Sequence, residues 1–357
     1  MRAVILVGGE GTRLRPLTYT VPKQMLPVVE VPIIERVVGH LVAHGVTDVV
    51  LSLGYRPDAF TAAYPDGRCA GASLTYVVEA TPLDTAGAIR FAAAEAGVDD
   101  TFLVLNGDVL TDLDLTALVR FHRERRGEAT IALAPVADPS AFGVVVTAAD
   151  GRVEAFIEKP APGTAPTNLI NAGTYVLEPA VLGRIAASGR VNIERETFPA
   201  LVGDGGLYAL PSDAYWLDVG TPERYVQASI DFLDGSRPGP AVDGARAVAT
   251  GSWAMEEARV DGRTVASFVG ARATVASGGA VEYSVVGGGA VVADGAVVQR
   301  SVLLAGARVE DGAQVSESVI GPGAVVEKGA AVVGWTVVGA DAVVEAGTNH
   351  EGARLPA

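Results

Sequence analysis

Lysine is nearly missing from this 357-residue chain: Lys23, Lys159 and Lys328 stand against 24 arginines. Where arginine fills almost every basic position, a retained lysine marks a place that needs a compact point charge. Two of the three lie beside prolines, in Pro22-Lys23 and Lys159-Pro160. Cysteine is scarcer still. With Cys69 alone, no intramolecular disulfide can form, and a reducing cytoplasm is the expected compartment. The thiol itself reads as a small buried apolar group. Positive charge is in deficit, with a formal net charge of −15. That excludes the extended basic face required by nucleic acid or an anionic membrane, while a local cluster of cations can still hold a small anion. No run of about 18 uncharged apolar residues occurs. Met1-Arg2-Ala3 leads straight into an apolar strand without a charged region or cleavage site, so a soluble, unexported protein is expected.

What is present is concentrated in the first 27 residues. Ala3-Val4-Ile5-Leu6-Val7 is short, apolar and stops at glycine, as a buried parallel strand does. Gly8-Gly9-Glu10-Gly11-Thr12-Arg13 follows, and then Val21-Pro22-Lys23. Glycines let backbone N–H groups approach an anionic oxygen, and Arg13, Arg15 and Lys23 bring fixed positive charge to the same stretch, a pattern suited to a polyphosphate. The spacing fits neither the G-x-x-x-x-G-K-[ST] phosphate loop nor the G-x-G-x-x-G dinucleotide fingerprint.

Strands then alternate with helices. Apolar residues recur at helical spacing from Pro32 to His44, a strand spans 48–53, and short elements fill 58–64 and 74–78. A helix capped by Asp84 or Thr85 runs to Ala96. A buried strand over 101–105 ends at Asn106-Gly107-Asp108, and a helix over 114–126 leads to a strand over 129–135. This rhythm predicts a Rossmann-like, mostly parallel α/β sheet that binds ligands at the carboxyl ends of its strands. After Pro139 strands dominate (143–147, 152–158 and 170–177), which reads as a second lobe laid over the first. Helices are expected near 180–186, 194–201 and 222–233, with Trp216-Leu217-Asp218-Val219-Gly220 between the last two.

Gly235-Ser236-Arg237-Pro238-Gly239-Pro240 reads as a linker, giving an expected division into residues 1–234, a linker over 235–241 and a second domain over 242–357. There Val285, Val291 and Val297 step by six, as do Val309 and Val315, Val319 and Val325, and Val337 and Val343, with glycine in the turns. A hexapeptide beat of small apolar residues predicts a parallel β-helix.

Asp108 and Asp218 are candidate metal carboxylates, since Mg²⁺ on a triphosphate takes only one or two protein carboxylates beside waters and phosphate oxygens. Glu158-Lys159-Pro160 pairs an acceptor for hydroxyls with a cation for phosphate, and Asn171-Ala172-Gly173 adds an amide and close backbone approach, as a sugar phosphate requires.

Taken together, Gly8-Gly9-x-Gly11-Thr12-Arg13-Leu14-x-Pro16-Leu17-Thr18, Pro22-Lys23, Asn106-Gly107-Asp108, Phe142-Gly143-Val144, Phe156-Ile157-Glu158-Lys159-Pro160, Asn171-Ala172-Gly173 and Trp216-Leu217-Asp218-Val219-Gly220 resemble the sugar-nucleotide pyrophosphorylases, or sugar-1-phosphate nucleotidyltransferases. The motifs run in family order across residues 1–233. Within the family the chain looks most like bacterial mannose-1-phosphate guanylyltransferases with a C-terminal left-handed β-helix. The resemblance implies in-line attack of a sugar 1-phosphate on the α-phosphorus of a nucleoside triphosphate, helped by Mg²⁺ at Asp108 and Asp218. It implies a nucleotide site of Leu6, Gly8, Gly9, Gly11, Thr12, Arg13, Lys23, Glu79, Asp84, Thr85 and Gly107. It implies a sugar-phosphate site of Gly143, Glu158, Lys159, Asn171 and Trp216. Arg13, Lys23, Asp108 and Asp218 would carry catalysis.

In the family, the residue at Glu79 reads the base. A carboxylate has only acceptors and suits the adjacent N1–H and N2–H₂ donors of guanine, whereas uracil and thymine flank N3–H with acceptors, so GTP is favoured. The family's usual glycine in the next loop is Asp84 here, which is a helix cap or a change in base or ribose recognition. Mannose 1-phosphate, glucose 1-phosphate and a pseudo-sugar such as valienol 1-phosphate stay open as acceptors, with adenylyl transfer as a further alternative. A β-helix acyltransferase is disfavoured because His350 is the only histidine after residue 122. A non-catalytic regulatory subunit would tend to lose the basic or metal residues, which are all present. The flat valine-rich β-helix faces predict a homo-oligomer.

Overall fold

A computed structural model of the chain describes residues 1–237, 242–249 and 251–356. Residues 238–241 of the expected linker therefore lie outside the described residues. In chain order the strands up to residue 218 are β1 (Ala3–Leu6), β2 (Pro27–Val28), β3 (Val31–Pro32), β4 (Asp48–Leu53), β5 (Arg68–Cys69), β6 (Ala72–Val78), β7 (Phe102–Asn106), β8 (Val109–Thr111), β9 (Ala129–Pro135), β10 (Gly143–Thr147), β11 (Val153–Glu158), β12 (Leu169–Leu177), β13 (Leu207–Pro211) and β14 (Trp216–Asp218). The helices are α1 (Ile33–Ala43), α2 (Pro57–Ala63), α3 (Asp84–Glu95), α4 (Leu115–Arg125), α5 (Phe198–Gly203) and α6 (Pro222–Leu233). The chain divides into two compact units: Met1–Gly9 with Ile34–Trp216, and Glu10–Ile33 with Leu217–Ala357.

The first unit is built on one ten-stranded mixed sheet, ordered β11-β10-β12-β7-β1-β4-β6-β5, with β9 pairing β12 and β13. Its centre is parallel, with Ala3 to Leu6 registered between Val49 to Ser52 and Leu103 to Asn106. These strands are covered on both faces, so they read as unbroken apolar runs. The strands after Pro139 are not a separate lobe. β12 pairs antiparallel with β7, and β10 and β11 extend the same sheet, because the carbonyls and amides on the open edge of β7 must find partners.

Helix boundaries fall within a few residues of expectation, with three exceptions. The helix expected near 180–186 is a 3-10 helix over Pro179–Arg184. The segment expected as a helix from Glu194 is a π-helical turn over Ile193–Thr197 that runs into α5. The helix predicted to start on a side-chain cap has none: Leu83 occupies the cap position of α3, and Asp84, at φ 62°, is left-handed.

In the second unit, residues from 252 onward wind into three parallel sheets, the stacked faces of a β-helix. Val285, Val302 and Val319 stack in register, so a coil takes 17 residues, and the step from Val319 to Val337 takes 18. The six-residue beat therefore holds on two faces and shortens to five at the third, from Val297 to Val302. That tight corner carries a serine ladder. Ser301 Oγ donates to the Gln299 carbonyl (2.7 Å) and accepts from Ser318 N–H (3.1 Å), and Ser284 and Ser267 repeat the pattern. Of the valines that set the beat, Val309 and Val315 point inward, whereas Val297 and Val343 are 42% and 58% exposed. In those coils the inward place belongs to the next residue, Val298 or Val344, since a one-residue shift turns a strand side chain to the opposite face.

Candidate active site

In the first unit, β1 delivers Leu6 and then Gly8 and Gly9 to the carboxyl end of the sheet. Gly8 lies against the backbone of Gly54, and a Cβ at Gly8 would sit 3.7 Å from Glu79 Oε1. A Cβ at Gly9 would meet nothing within 4 Å. Glu79 follows β6, and both carboxylate oxygens are fixed: Ser52 Oγ donates to Oε1 at 3.1 Å, and the Leu83 N–H donates to Oε2 at 3.0 Å. Each oxygen keeps lone pairs for a further donor. At the end of β7, Gly107 packs so tightly on β1 that a Cβ would lie 2.5 Å from Val7, with its N–H bonded to the Leu6 carbonyl. Asp108, half-buried, is presented by the turn between β7 and β8.

Asp84 and Thr85 open α3 and face inward to the π-helical turn. Asp84 Oδ1 accepts from Thr85 N–H (2.8 Å) and from Asn192 Nδ2 (3.1 Å). Thr85 Oγ1 donates to Glu194 Oε2 (3.1 Å) and accepts from Ile193 N–H (2.8 Å). Burial holds the Glu194 carboxyl above its usual range, and the nearby Glu158 and Asp84 carboxylates add to that.

Glu158 and Gly143 face each other across the β10–β11 pair. Gly143 has no room for a Cβ, which would lie 2.5 Å from the Phe156 ring and 3.1 Å from Glu158 Oε2. The Lys159 side chain is 59% exposed, and its Nζ stands 3.4 Å from Glu158 Oε1. Asn171 spends part of its amide internally: Nδ2 donates to Tyr175 Oη (2.9 Å) and Oδ1 accepts from Gly173 N–H (3.0 Å), which shapes an irregularity in β12. The Trp216 indole donates to the Ala172 carbonyl at 2.9 Å and packs edge-on against Phe142.

The second unit carries the remaining expected residues. Gly11 adopts φ 62°, with Thr18 and the Lys23 Cβ against it, and Thr18 Oγ1 donates to the Gly11 carbonyl at 2.8 Å. Thr12 and Arg13 are exposed, whereas Lys23 is only 7% exposed. Arg13 and Asp218 converge on Gly220. A Cβ there would collide with the Arg13 guanidinium and lie 2.8 Å from Asp218 Oδ1. Arg224 Nη1 approaches Asp218 Oδ2 at 3.4 Å. A larger residue at 220 would have to push the Arg13 guanidinium or the Asp218 carboxylate aside.

The structure thus gathers Gly8 with Glu79, Asp84 with Thr85, Gly143 with Glu158 and Lys159, Gly11 with Lys23, and Arg13 with Asp218. Sequence reasoning missed Ser52, Asn192 and Glu194. Asn192 stands 108 residues from its partner Asp84, and nothing in the local sequence announces the pair. Gly220 was visible as the end of the Trp-Leu-Asp-Val-Gly run.

A metal would find hard oxygen donors. No group of three or more His, Cys, Asp or Glu side chains converges among the described residues. Asp108 in the first unit and Asp218 in the second are each a lone carboxylate, and by donor chemistry each fits a dication whose other positions are filled by phosphate oxygens and water.

A sequence profile described as Nucleotidyl transferase matches residues 2–235, and one described as GMPPB C-terminal domain matches 264–355. A curated mannose-1-phosphate guanylyltransferase from Mycobacterium tuberculosis is 45% identical over 246 residues, which is 68% of each chain. A mannose-1-phosphate guanyltransferase from Hypocrea jecorina is 41% identical over 65% of this chain and 64% of its own. Among solved structures, HddC from Yersinia pseudotuberculosis, complexed with GMP-PN, is 28% identical with a TM-score of 0.56, covering 65% of this chain and 99% of that one.

Proposed function

This chain belongs to the nucleotidyl transferase family, and from that premise we propose that it makes GDP-mannose and pyrophosphate from GTP and mannose 1-phosphate. The names of the relatives, mannose-1-phosphate guanylyltransferases at 45% and 41% identity, support the substrate pair. The observation that carries guanine is Glu79. Its carboxylate is held by the Ser52 hydroxyl and the Leu83 N–H, so an acceptor-only edge is presented in a fixed orientation. Guanine offers two adjacent donors to it.

In the proposed reaction a phosphate oxygen of mannose 1-phosphate forms a bond to the α-phosphorus. The bond from that phosphorus to the oxygen bridging the β-phosphate breaks, and pyrophosphate leaves with the electron pair. No protein nucleophile is needed; positioning and charge neutralisation supply the acceleration. Gly8, Gly9, Gly11 and Thr12 approach the triphosphate with backbone and hydroxyl donors. Arg13 neutralises the leaving phosphates, and Lys23, only 7% exposed, lies along the phosphate path. Lys159 holds the sugar phosphate while Glu158, Gly143 and Asn171 meet its hydroxyls. Trp216 supports the Ala172 carbonyl beside them.

Enzymes of this family use a divalent metal, and we assign Mg²⁺ to this one, with Asp108 and Asp218 as its carboxylates. When bound, the ion neutralises phosphate oxygens in the transition state. We further propose a catalytic domain over 1–234 joined by the 235–241 linker to a β-helix domain over 242–357, cytoplasmic placement, and self-association through the β-helix.

Pyrophosphate release, measured with Mg²⁺ over a grid of GTP, ATP, UTP and dTTP against mannose, glucose and valienol 1-phosphates, is expected to be dominated by GTP with mannose 1-phosphate. Activity confined to another cell would replace that substrate pair. A blank grid would refute catalysis and favour a regulatory subunit.

A further inference from the structure

Asp84 occupies a place where its side chain is unwelcome. At φ 62° the backbone is left-handed, a conformation that costs most residues about 1–2 kcal/mol and that Asp and Asn tolerate only with local hydrogen bonds. The carboxylate does not reach outward from α3. It folds back so that Oδ1 takes the Thr85 N–H at 2.8 Å and the Asn192 amide at 3.1 Å. Asn192 works in two directions at once, because its Oδ1 accepts the Arg195 N–H at 3.0 Å and caps the π-helical turn.

The surrounding backbone shows that this pair joins two segments into one piece. Val191 N–H donates to the Leu83 carbonyl at 2.9 Å, and the Val191 carbonyl accepts from the N–H groups of Ala86 and Gly87, the first turn of α3. Leu83 in turn fixes Glu79 through its own N–H. A continuous chain of bonds therefore runs from Asn192 through Asp84 and the 83–87 turn to the carboxylate proposed to read the base. π-Helical turns cluster at functional sites, where an extra residue per turn re-aims a side chain. Here Asn192, the extended residue that caps the turn, carries its amide to the loop.

We propose that Asn192 is a positioning residue for the nucleotide. It acts through Asp84, by holding the left-handed Asp84-Thr85 turn that orients Glu79, and it does not itself touch substrate. The inference rests on the reading of residues 79–87 as the nucleotide loop. It also assigns Asp84 a role: the residue is neither a helix cap nor a base contact, but the acceptor for Asn192.

The test is a polarity swap. Asn192→Asp keeps the oxygen that caps Arg195 but removes the donor and sets a second carboxylate against Asp84. Pairing it with Asp84→Asn removes the repulsion between the two carboxylates and supplies an amide N–H to the new one, with the oxygen of the same amide turned to the Thr85 N–H, and Asn is well tolerated at positive φ. Each enzyme is assayed with whichever nucleotide the wild type turns over best, so a different base preference would refute the GTP reading while still testing this one. Asn192→Asp is expected to raise the nucleotide KM roughly 10-fold, as losing a part-buried hydrogen bond to a charged group does. The sugar-phosphate KM should move less than about twofold, and the double variant should return the nucleotide KM to within about threefold of wild type. A nucleotide KM unchanged in the single variant would overturn the proposal. So would an equal rise in both KM values, the sign of general damage, or failure of the swap to rescue.

Discussion

At the scale of single residues, recognition depends on groups whose partners are already set. Glu79 is the plainest case: a hydroxyl and a backbone N–H fix its two oxygens, so the carboxylate cannot rotate to offer anything except acceptors. Glu79→Gln turns one acceptor into an amide donor facing the guanine donors. We expect kcat/KM with GTP to fall about 100-fold while the ratio of UTP to GTP use rises, because a site built for hydrogen bonds penalises a mismatched edge strongly. Equal losses with all four nucleotides would show that Glu79 does not read the base. The identity of Glu79 was legible in the sequence. Its two anchors were not, since Ser52 lies 27 residues away on a neighbouring strand and only parallel pairing of β4 with β6 brings them together.

At the scale of elements, the β-helix shows how a short polar residue can close a corner that glycine elsewhere leaves open. The five-residue corner needs positive φ at Ala266, Tyr283, Arg300 and Glu317, and the serine that follows each donates to a carbonyl in its own coil, while Ser267, Ser284 and Ser301 also accept an N–H from the next. Ser301→Ala would leave the Ser318 N–H without its hydroxyl partner in a buried place, while the Gln299 carbonyl keeps the Glu317 N–H, at a cost of about 1–3 kcal/mol. Calorimetry should show the melting of the β-helix lowered by about 4 °C per kcal/mol. Ser301→Thr keeps the hydroxyl, and Thr336 fills the equivalent place in another coil, where its Oγ1 accepts from Ala353 N–H at 3.0 Å. That variant should melt close to wild type, and an equal loss in both would assign the effect to packing. The six-residue beat was readable because it repeats. The shortened corner was not, since serine spacing carries no signal until the coils are stacked.

At the scale of the molecule, the second unit ties its N-terminal hairpin to its β-helix through one carboxylate. The β2–β3 hairpin turns on Val29 and Glu30, at φ 47° and 66°. Glu30 Oε1 accepts from the Gly288 N–H at 2.5 Å, in a notch where a Cβ on Gly270 would collide with it. The same hairpin is held by Tyr225, whose hydroxyl donates to the Pro27 carbonyl at 2.5 Å. Burial raises the Glu30 carboxyl above its ordinary value of 4.5, opposed by the Gly288 bond. The folded chain therefore keeps a proton there that the unfolded chain releases, so this residue costs stability as pH rises from the ordinary carboxylate range through the raised value. Glu30→Gln keeps an acceptor for Gly288 and removes that cost. Its stability relative to wild type should be near zero at low pH and grow at neutral pH, by less than about 1 kcal/mol given the solvent at this half-buried site. Denaturation across pH checks it, and a difference independent of pH would show that Glu30 is not strained by its burial.

Whatever repeats or stands in line was legible residue by residue: the alternation of strands and helices, the hexapeptide period, and the ordered motifs from Gly8 to Gly220. Those features are local, and apolar periodicity or glycine placement expresses them without reference to the rest of the chain. Tertiary structure alone decided which distant groups meet. It placed β10 to β12 on the open edge of β7 instead of in a separate lobe, because an unpaired edge must be satisfied. It converged Arg13 and Asp218 on Gly220, and it turned Asp84 inward to Asn192. Such pairings depend on long-range register, and hydrogen bonds between residues a hundred positions apart leave no pattern in a linear sequence.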